Sequence, residues 1–497
     1  MRNTDGGVLR AAPGETPNAG TGLFATTRIL IGQPILELDT WLAVLDTARL
    51  ADTCSNCFGG KTLRDREVDG APQVPLKLCT GCRTVRYCSK GCQKENWAAI
   101  HKHECKIFKN LYPNVLPTPS RAVLRILLLK KHQEDQGDRL QRFDSLTSHL
   151  TETIRTKPDH FQNLVLCARA IHEYSKTELS LQEVVDCFGK LDINAFTLTT
   201  PFYDQIGAAV EPLASLCNHS CDPNAAVDFD KGKTWLRALQ HIEEGEQIFV
   251  SYVEPTDACL HRQAELSKRY YFECECPRCI REKEIGDGEF LKEVTDLDSK
   301  LVDDAQKEAV GLLEAAKSRI SPAASIRSLK RAMSILRKTL VWPLTRQPYV
   351  RLRNELIASL MDAQQLQCVF VQCAIRHLRI DPVVYPAKWH PVATMHKWMF
   401  VSLMRYLTQA GNLGFAEGID LSKYQLNLFL LIYSILLDLE VTASNELPTV
   451  EDIYRGSLSL FVDAEWTLEA MQPDIDKEWE KVEKLVDDAL RIDEASV

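Results

Sequence analysis

A chain of 497 residues is too long for a single hydrophobic core and calls for two to four structural units. An apolar content of 45%, a charged content of 26% and a net charge of −9 describe a soluble globular protein and give no global case for nucleic-acid binding. The opening stretch, MRNTDGGVLRAAPGE, lacks the apolar core of a signal peptide, and the longest apolar run, Leu428 to Leu437, is too short to span a bilayer and reads as a buried helix; the expected location is cytoplasm and nucleus, with no membrane partner.

In chain order, the first feature is NAGTGLFAT, where Gly20 and Gly22 would let backbone approach a ligand closely. A Gly-x-Gly alone is a weak signal. The 17 cysteines are more informative, because they cluster: seven lie from Cys54 to Cys105 and six from Cys217 to Cys279. In a reducing compartment clustered cysteines are metal ligands more often than disulfides. The first cluster runs CSNC, a long gap, then CTGCRTVRYCSKGCQKENWAAIHKHEC. Zinc takes four such ligands in a tetrahedron; a C-x2-C turn supplies two, and a C-x3-C or H-x3-C pair supplies two from one helix face. Seven cysteines and one histidine therefore make two closed sites, and with little apolar residue in the segment the metal would supply its folding energy. His101 and His103 compete for the histidine position. The surface of this segment is basic, although seven thiolates offset much of that charge.

From about residue 106 to residue 190, RAVLRILLLKKHQ, HFQNLVLCARAIHEY and SLQEVVDCFGKL carry helical apolar spacing. INAFTL follows, then LCNHSCDPNAA, which crowds Asn, His, Cys and Asp ahead of the strand-like AAVDF. EEGEQIFVSYVE reads as a turn at Glu244-Gly245, a strand, and Tyr252. YYFECECPRC then places Cys274, Cys276 and Cys279 as C-x-C-x2-C. Three cysteines cannot close a structural zinc tetrahedron; Cys221 offers the fourth ligand and Cys217 is its rival. Beyond residue 286 helical patterns dominate, with tetratricopeptide-like pairing suggested by lengths and small residues and no strict repeat visible. Cys167, Cys187, Cys259, Cys368 and Cys373 read as buried hydrophobes.

YCSKGCQ, Trp97 and HKHEC together resemble a MYND zinc finger. The ordered set GTGL, NAFTL, NHSCDPN, GEQ with its following tyrosine, and C-x-C-x2-C resembles a SET domain. A finger of the first kind inside a domain of the second is similar to the SET-and-MYND (SMYD) lysine methyltransferases, strongly over residues 20 to 280 and faintly beyond, through helical character and the YPAKWHP stretch. The resemblance implies an α+β fold: residues 1–53 as the N-terminal part of the SET domain, 54–105 as the MYND finger, 106–190 as a helical insert, 191–255 as the core SET domain, 256–285 as a post-SET zinc segment, and 286–497 as an all-α tetratricopeptide-like domain.

It also implies roles. The finger's sites interleave, pairing Cys54, Cys57, Cys88 and Cys92 in one and Cys79, Cys82, His101 and Cys105 in the other; with Cys221, Cys274, Cys276 and Cys279 this makes three zinc ions. S-adenosylmethionine would be held by Gly20, Thr21, Gly22, Leu23, Ser215, Leu216, Asn218, His219, Tyr252 and Phe272. Tyr252 would be the catalytic hydroxyl, and Phe196 and Tyr270 would line the lysine channel. His149 is expected to be structural. The implied activity is protein-lysine N-methylation of a histone or another protein; the alternatives are an inactive zinc scaffold and an adaptor. The finger would suit a proline-rich or other peptide partner, with nucleic-acid contact left open, and the chain is expected to be a monomer.

Overall fold

A computed structural model describes residues 7–16, 20–59, 75–132, 138–201, 203–285, 296–317, 321–387, 390–410, 414–416, 418–443, 447–458, 461 and 468–495. Most of the expected flexible loop between Cys57 and Cys79, and Lys388 and Trp389 of the YPAKWHP stretch, lie outside the described residues. The chain divides into two compact units: Met1–Val253 with Ala264–Cys274 and Leu447–Thr449, and Glu254–Gln263 with Glu275–Glu446 and Val450–Val497.

The first unit is built on small sheets whose strands come from distant parts of the chain. β1 (Ala11–Thr16) and β2 (Gly20–Ala25) form a hairpin; β12 (Gln247–Val250) pairs antiparallel with β2 and parallel with β9 (Asn218–His219). β3 (Pro34–Asp39) pairs with β11 (Lys233–Ala238), which pairs with β10 (Ala225–Asp230). β8 (Gln205–Val210) lies between β4 (Leu42–Leu45) and β7 (Phe196–Thr199). Each sheet has a buried apolar face. Leu23, Ile35, Leu36, Leu236 and Ile248 sit in a smaller core, and Leu42, Leu45, Leu198 and Ile206 sit in a larger one that continues under the helices.

Between β4 and β7 the chain makes a short hairpin, β5 (Lys77–Leu78) with β6 (Arg86–Tyr87), and then a run of helices. α1 (Lys90–Asn96) starts at Ser89, whose side chain accepts from Cys92 N, and continues through a π-helical turn, Trp97–His101, into α2 (Lys102–Leu111). α3 (Thr118–His132) is buried along most of its length, as its leucine-rich sequence requires. α4 (Arg139–Ser145), α5 (Leu150–Thr156), α6 (Pro158–Ser175) and α7 (Leu181–Asn194) follow. Ser180 and Glu183 form a reciprocal capping box that fixes the start of α7, satisfying two otherwise free backbone donors.

The second unit is helical. Its longer helices are Asp296–Lys317, Pro322–Arg337, Tyr349–Asp362, Pro391–Ala410, Leu428–Ala443 and Leu468–Ala495. Trp398, Phe370 and Phe400 are buried in it, and the fully buried Arg353 hydrogen-bonds Gln372 and stacks over Tyr349. The apolar run from Leu428 is part of a buried helix, as its sequence predicts, and no helix among the described residues is long and apolar enough to cross a membrane.

Candidate active site and metal centres

The LCNHSCDPNAA stretch is fastened to β12 at several points. Ser220 N donates to Val250 O at 3.1 Å. The Asn224 amide donates to Gln247 O at 2.9 Å and accepts from Phe249 N at 2.8 Å, so one side chain supplies the two bonds a neighbouring strand would make. Ser220 Oγ accepts from Asp222 N at 3.1 Å. These bonds place β9 beside β12, and Tyr252 two residues beyond that strand.

Tyr252 is the centre of an aromatic group. Its ring lies 4.8 Å from Tyr270, 5.2 Å from His219 and 6.5 Å from Phe272. Its hydroxyl donates to Cys217 O at 2.7 Å, its N–H donates to His219 Nδ1 at 3.0 Å, and Tyr270 donates to its carbonyl at 3.4 Å. Burial, with the Cys217 thiol beside it, pushes the phenol above the usual tyrosine range, so it stays protonated. With its hydrogen committed to Cys217 O, the oxygen presents lone pairs as an acceptor.

The glycine strand lies beside Asn218. A Cβ on Gly22 would meet Gln247 Nε2 at 2.4 Å, Thr16 Cγ2 at 3.0 Å and Asn218 Nδ2 at 3.1 Å, which is why this position takes glycine. Asn218 Nδ2 is buried and, among the described residues, has no hydrogen-bond partner. An orphaned donor next to a glycine marks a place for an acceptor-bearing ligand. Gly20 is left-handed, with φ of 67°. The Leu23 side chain is fully buried and Thr21 pairs with Glu15, so this strand offers backbone more than side chains.

Other expected residues stand differently. Ser215 Oγ donates to Asn194 O and Glu211 O, both at 3.1 Å, so its hydroxyl already has partners; Leu216 packs between the two cores. Phe196 begins β7 half-buried on the larger core, and the structure does not bring it into the ring group around Tyr252, which packs on the smaller one. His219 differs most from the expectation of a ligand-holding side chain. Its Nδ1 accepts from Tyr252 N and its Nε2 lies 3.2 Å from Cys221 Sγ, so both ring nitrogens are occupied within the protein.

The twelve expected metal ligands gather as three groups: Cys54, Cys57, Cys88 and Cys92; Cys79, Cys82, His101 and Cys105; and Cys221, Cys274, Cys276 and Cys279. Within each group the ligand atoms lie within 4.8 Å of one another. Zinc–sulfur bonds of ~2.3 Å give a tetrahedral edge of roughly 3.8 Å, and a sulfur–nitrogen edge of roughly 3.6 Å. The Cys57–Cys88, Cys88–Cys92 and Cys79–Cys105 sulfurs are 3.6, 3.4 and 3.9 Å apart, and Cys82 Sγ is 3.6 Å from His101 Nε2. The donor sets fit zinc. His101, not His103, completes the second group, while His103 stacks on His132; Cys217 stays out of the third, a buried thiol pushed up by desolvation. At Gly81 a Cβ would stand 2.8 Å from Cys105 Sγ, so the knuckle between Cys79 and Cys82 has room only for glycine.

A SET domain family model matches residues 20–253. The SET domain and MYND-type zinc finger protein 6 of Schizosaccharomyces pombe is 32% identical over 265 residues, 53% of this chain and 50% of that protein. The mouse histone-lysine N-methyltransferase SMYD3 is 28% identical, over 58% of this chain and 66% of that protein, and the chicken N-lysine methyltransferase SMYD2 is 30% identical, over 56% and 61%. Over these residues the chain is similar to SET-domain and SET-and-MYND proteins. It matches between half and about two thirds of the length of these relatives. The solved SET domain of LSMT bound to lysine and AdoHcy covers 81% of this chain and 88% of that one at 12% identity and a TM-score of 0.30, too low to bear on the site.

Three residues behind the metal groups carried no sequence signal. Glu104 is fully buried, 3.5 Å from His101 Nδ1, and is held by Arg125 at 2.8 and 3.1 Å; Arg125 also donates to Ala43 O at 2.6 Å. Burial pushes the Glu104 carboxyl up, but the Arg125 guanidinium and His101 together hold it down at about 2. Arg262, buried, places its guanidinium 3.6 Å from Cys279 Sγ, offsetting thiolate charge. Cys259, expected to be an inert buried hydrophobe, has the Cys279 thiol among the groups that raise its own titration, after burial; Cys167 and Cys368 are only half-buried.

Proposed function

We propose that the chain is an S-adenosylmethionine-dependent protein-lysine N-methyltransferase. The observation that carries this reading is the half-buried phenol of Tyr252, ringed by His219, Tyr270 and Phe272, close in the fold to a glycine-lined strand and an unpartnered Asn218 amide. When bound, S-adenosylmethionine supplies a methyl already activated on a sulfonium. Backbone of Gly20 to Leu23 and the Asn218 amide bind it, with Leu216 and Phe272 as apolar contacts. The channel must receive lysine neutral, yet with a pKa of about 10.4 only about one lysine in a thousand is neutral at pH 7. The aromatic wall at Tyr270 disfavours the ammonium form before transfer and holds the methylated cation after it. Tyr252 orients the amine through its oxygen lone pairs, because its hydrogen is held by Cys217 O.

Transfer of tritiated methyl from S-adenosylmethionine into purified core histones and fractionated lysate tests the reading. Label in lysine with the wild type, and about a hundredfold less or lower with Tyr252→Phe, is expected. No label in any fraction together with no cofactor binding by calorimetry would overturn it in favour of a zinc scaffold.

Finer assignments belong to the same reading. Residues 54–105 act as a MYND-type finger for a proline-rich or other peptide, 106–190 as the SET insert, 256–285 as the post-SET segment and 286–497 as a tetratricopeptide-like domain. The protein works as a monomer in cytoplasm and nucleus. The interleaved cysteine groups and the successive long helices support these assignments.

A further inference from the structure

Three consecutive aromatic residues leave α8 (Cys259–Tyr270) for different destinations. Tyr270 lies against Tyr252, and Phe272 lies 5.9 Å from His219. Tyr271 between them has a left-handed backbone, with φ of 64°, a conformation a bulky side chain keeps only where its surroundings impose it. One face of the helical insert does so. The Tyr271 ring is 5.4 Å from His149, and Lys157 Nζ sits 5.1 Å above it. Its hydroxyl is 3.0 Å from Thr153 Oγ1. The Thr153 hydrogen goes to His149 O at 3.0 Å, so Tyr271 is the donor of the pair. His149, Thr153 and Lys157 are spaced by four, which puts them on one face where α5 meets α6. His149 is itself left-handed, with φ of 49°.

We infer that Tyr271 is a positioning residue: held by His149, Thr153 and Lys157, it fixes how Tyr270 and Phe272 stand around Tyr252 and makes the insert part of the lysine channel. The inference rests on the methyltransferase reading and does not place Tyr271 on the substrate. A return of residue 271 to negative φ would rotate Phe272 relative to Tyr270, because both sit on the same short segment. The insert is then more than scaffold, since its helix α5 sets the geometry of residues more than a hundred positions downstream.

The test uses full-length protein carrying 3-fluorotyrosine, with the 19F resonances of Tyr252 and Tyr270 assigned from their Tyr→Phe variants. Thr153→Val removes the acceptor without touching the channel. Tyr271→Gly keeps the left-handed backbone and deletes the anchor. Both are expected to shift the Tyr252 and Tyr270 resonances and to lower kcat on core histones by roughly tenfold to a hundredfold, as a small misplacement of a positioning wall does. The Kd for S-adenosylhomocysteine should change far less than kcat, through Phe272 alone, and Tyr174→Phe should move nothing. Unshifted resonances in both variants overturn the inference, as does unchanged kcat. If Thr153→Val does not fold, Tyr271→Phe, which loses only the hydroxyl, replaces it. A wild type that neither binds S-adenosylhomocysteine nor transfers methyl defeats the methyltransferase reading instead, and the resonances still decide whether Tyr271 positions its neighbours.

Discussion

Tyr252→Phe keeps the ring against Tyr270 and His219 and removes only the oxygen. Turnover should fall by about a hundredfold or more, as for other preorganised hydrogen-bonding groups, while cofactor Kd and Tm stay close to wild type. Because burial keeps the phenol protonated, a rise in rate toward pH ~10 should report lysine deprotonation; residual activity of the variant should therefore keep the wild-type pH profile. Gly22→Ala pushes a methyl into Gln247 and Asn218, and overpacking of about 1–3 kcal/mol should weaken cofactor binding by roughly tenfold or more in calorimetry. At this scale the sequence was legible where zinc fixes residue type and spacing, as with the twelve ligands. It was not legible for His219. A motif names the residue but not which partners its two nitrogens find, and those partners, Tyr252 N and Cys221 Sγ, belong to other segments or to the metal group.

Among the elements, α2 is tied to α3 by a buried ion pair that reaches β4. Breaking such a pair leaves a buried charge without its partner, at a cost of about 3–5 kcal/mol. Arg125→Met strands Glu104 in this way, and the denaturant midpoint of the first unit should fall accordingly. The substitution should also speed zinc loss to a chelator from the group containing His101, whose ring Glu104 backs. The same chromophoric zinc assay on the group of Cys54 should change little. Helical spacing in RAVLRILLLKKHQ made α3 readable, since nine of its residues are buried. It gave no reason to pair Arg125 with Glu104, because both look like ordinary surface charges until the fold buries them. Asn224 is similar: in the sequence it is one polar residue of a crowded loop, and its work as a substitute strand depends on β12 lying beside it.

For the whole molecule, elemental analysis of tag-free protein should give three zinc ions per chain, and Cys276→Ser should bring this near two. The cysteine spacing carried that count because zinc restricts ligand number and distance so tightly. The division into units was harder to read, since Leu447–Thr449 belongs with the first and Glu254–Gln263 with the second, out of chain order. That long-range pairing has a consequence for how the protein is made. β2, β3 and β4 find their partners in β12, β11 and β8, roughly two hundred residues downstream for the first two. At about 5–20 residues per second, these strands would wait some 10–40 s on the ribosome with open edges. The finger and the insert helices, whose contacts are local, can form in that interval and shield β4 through α3. A nascent chain stalled before residue 250 should therefore already bind zinc in its finger while its β2 edge still recruits chaperones.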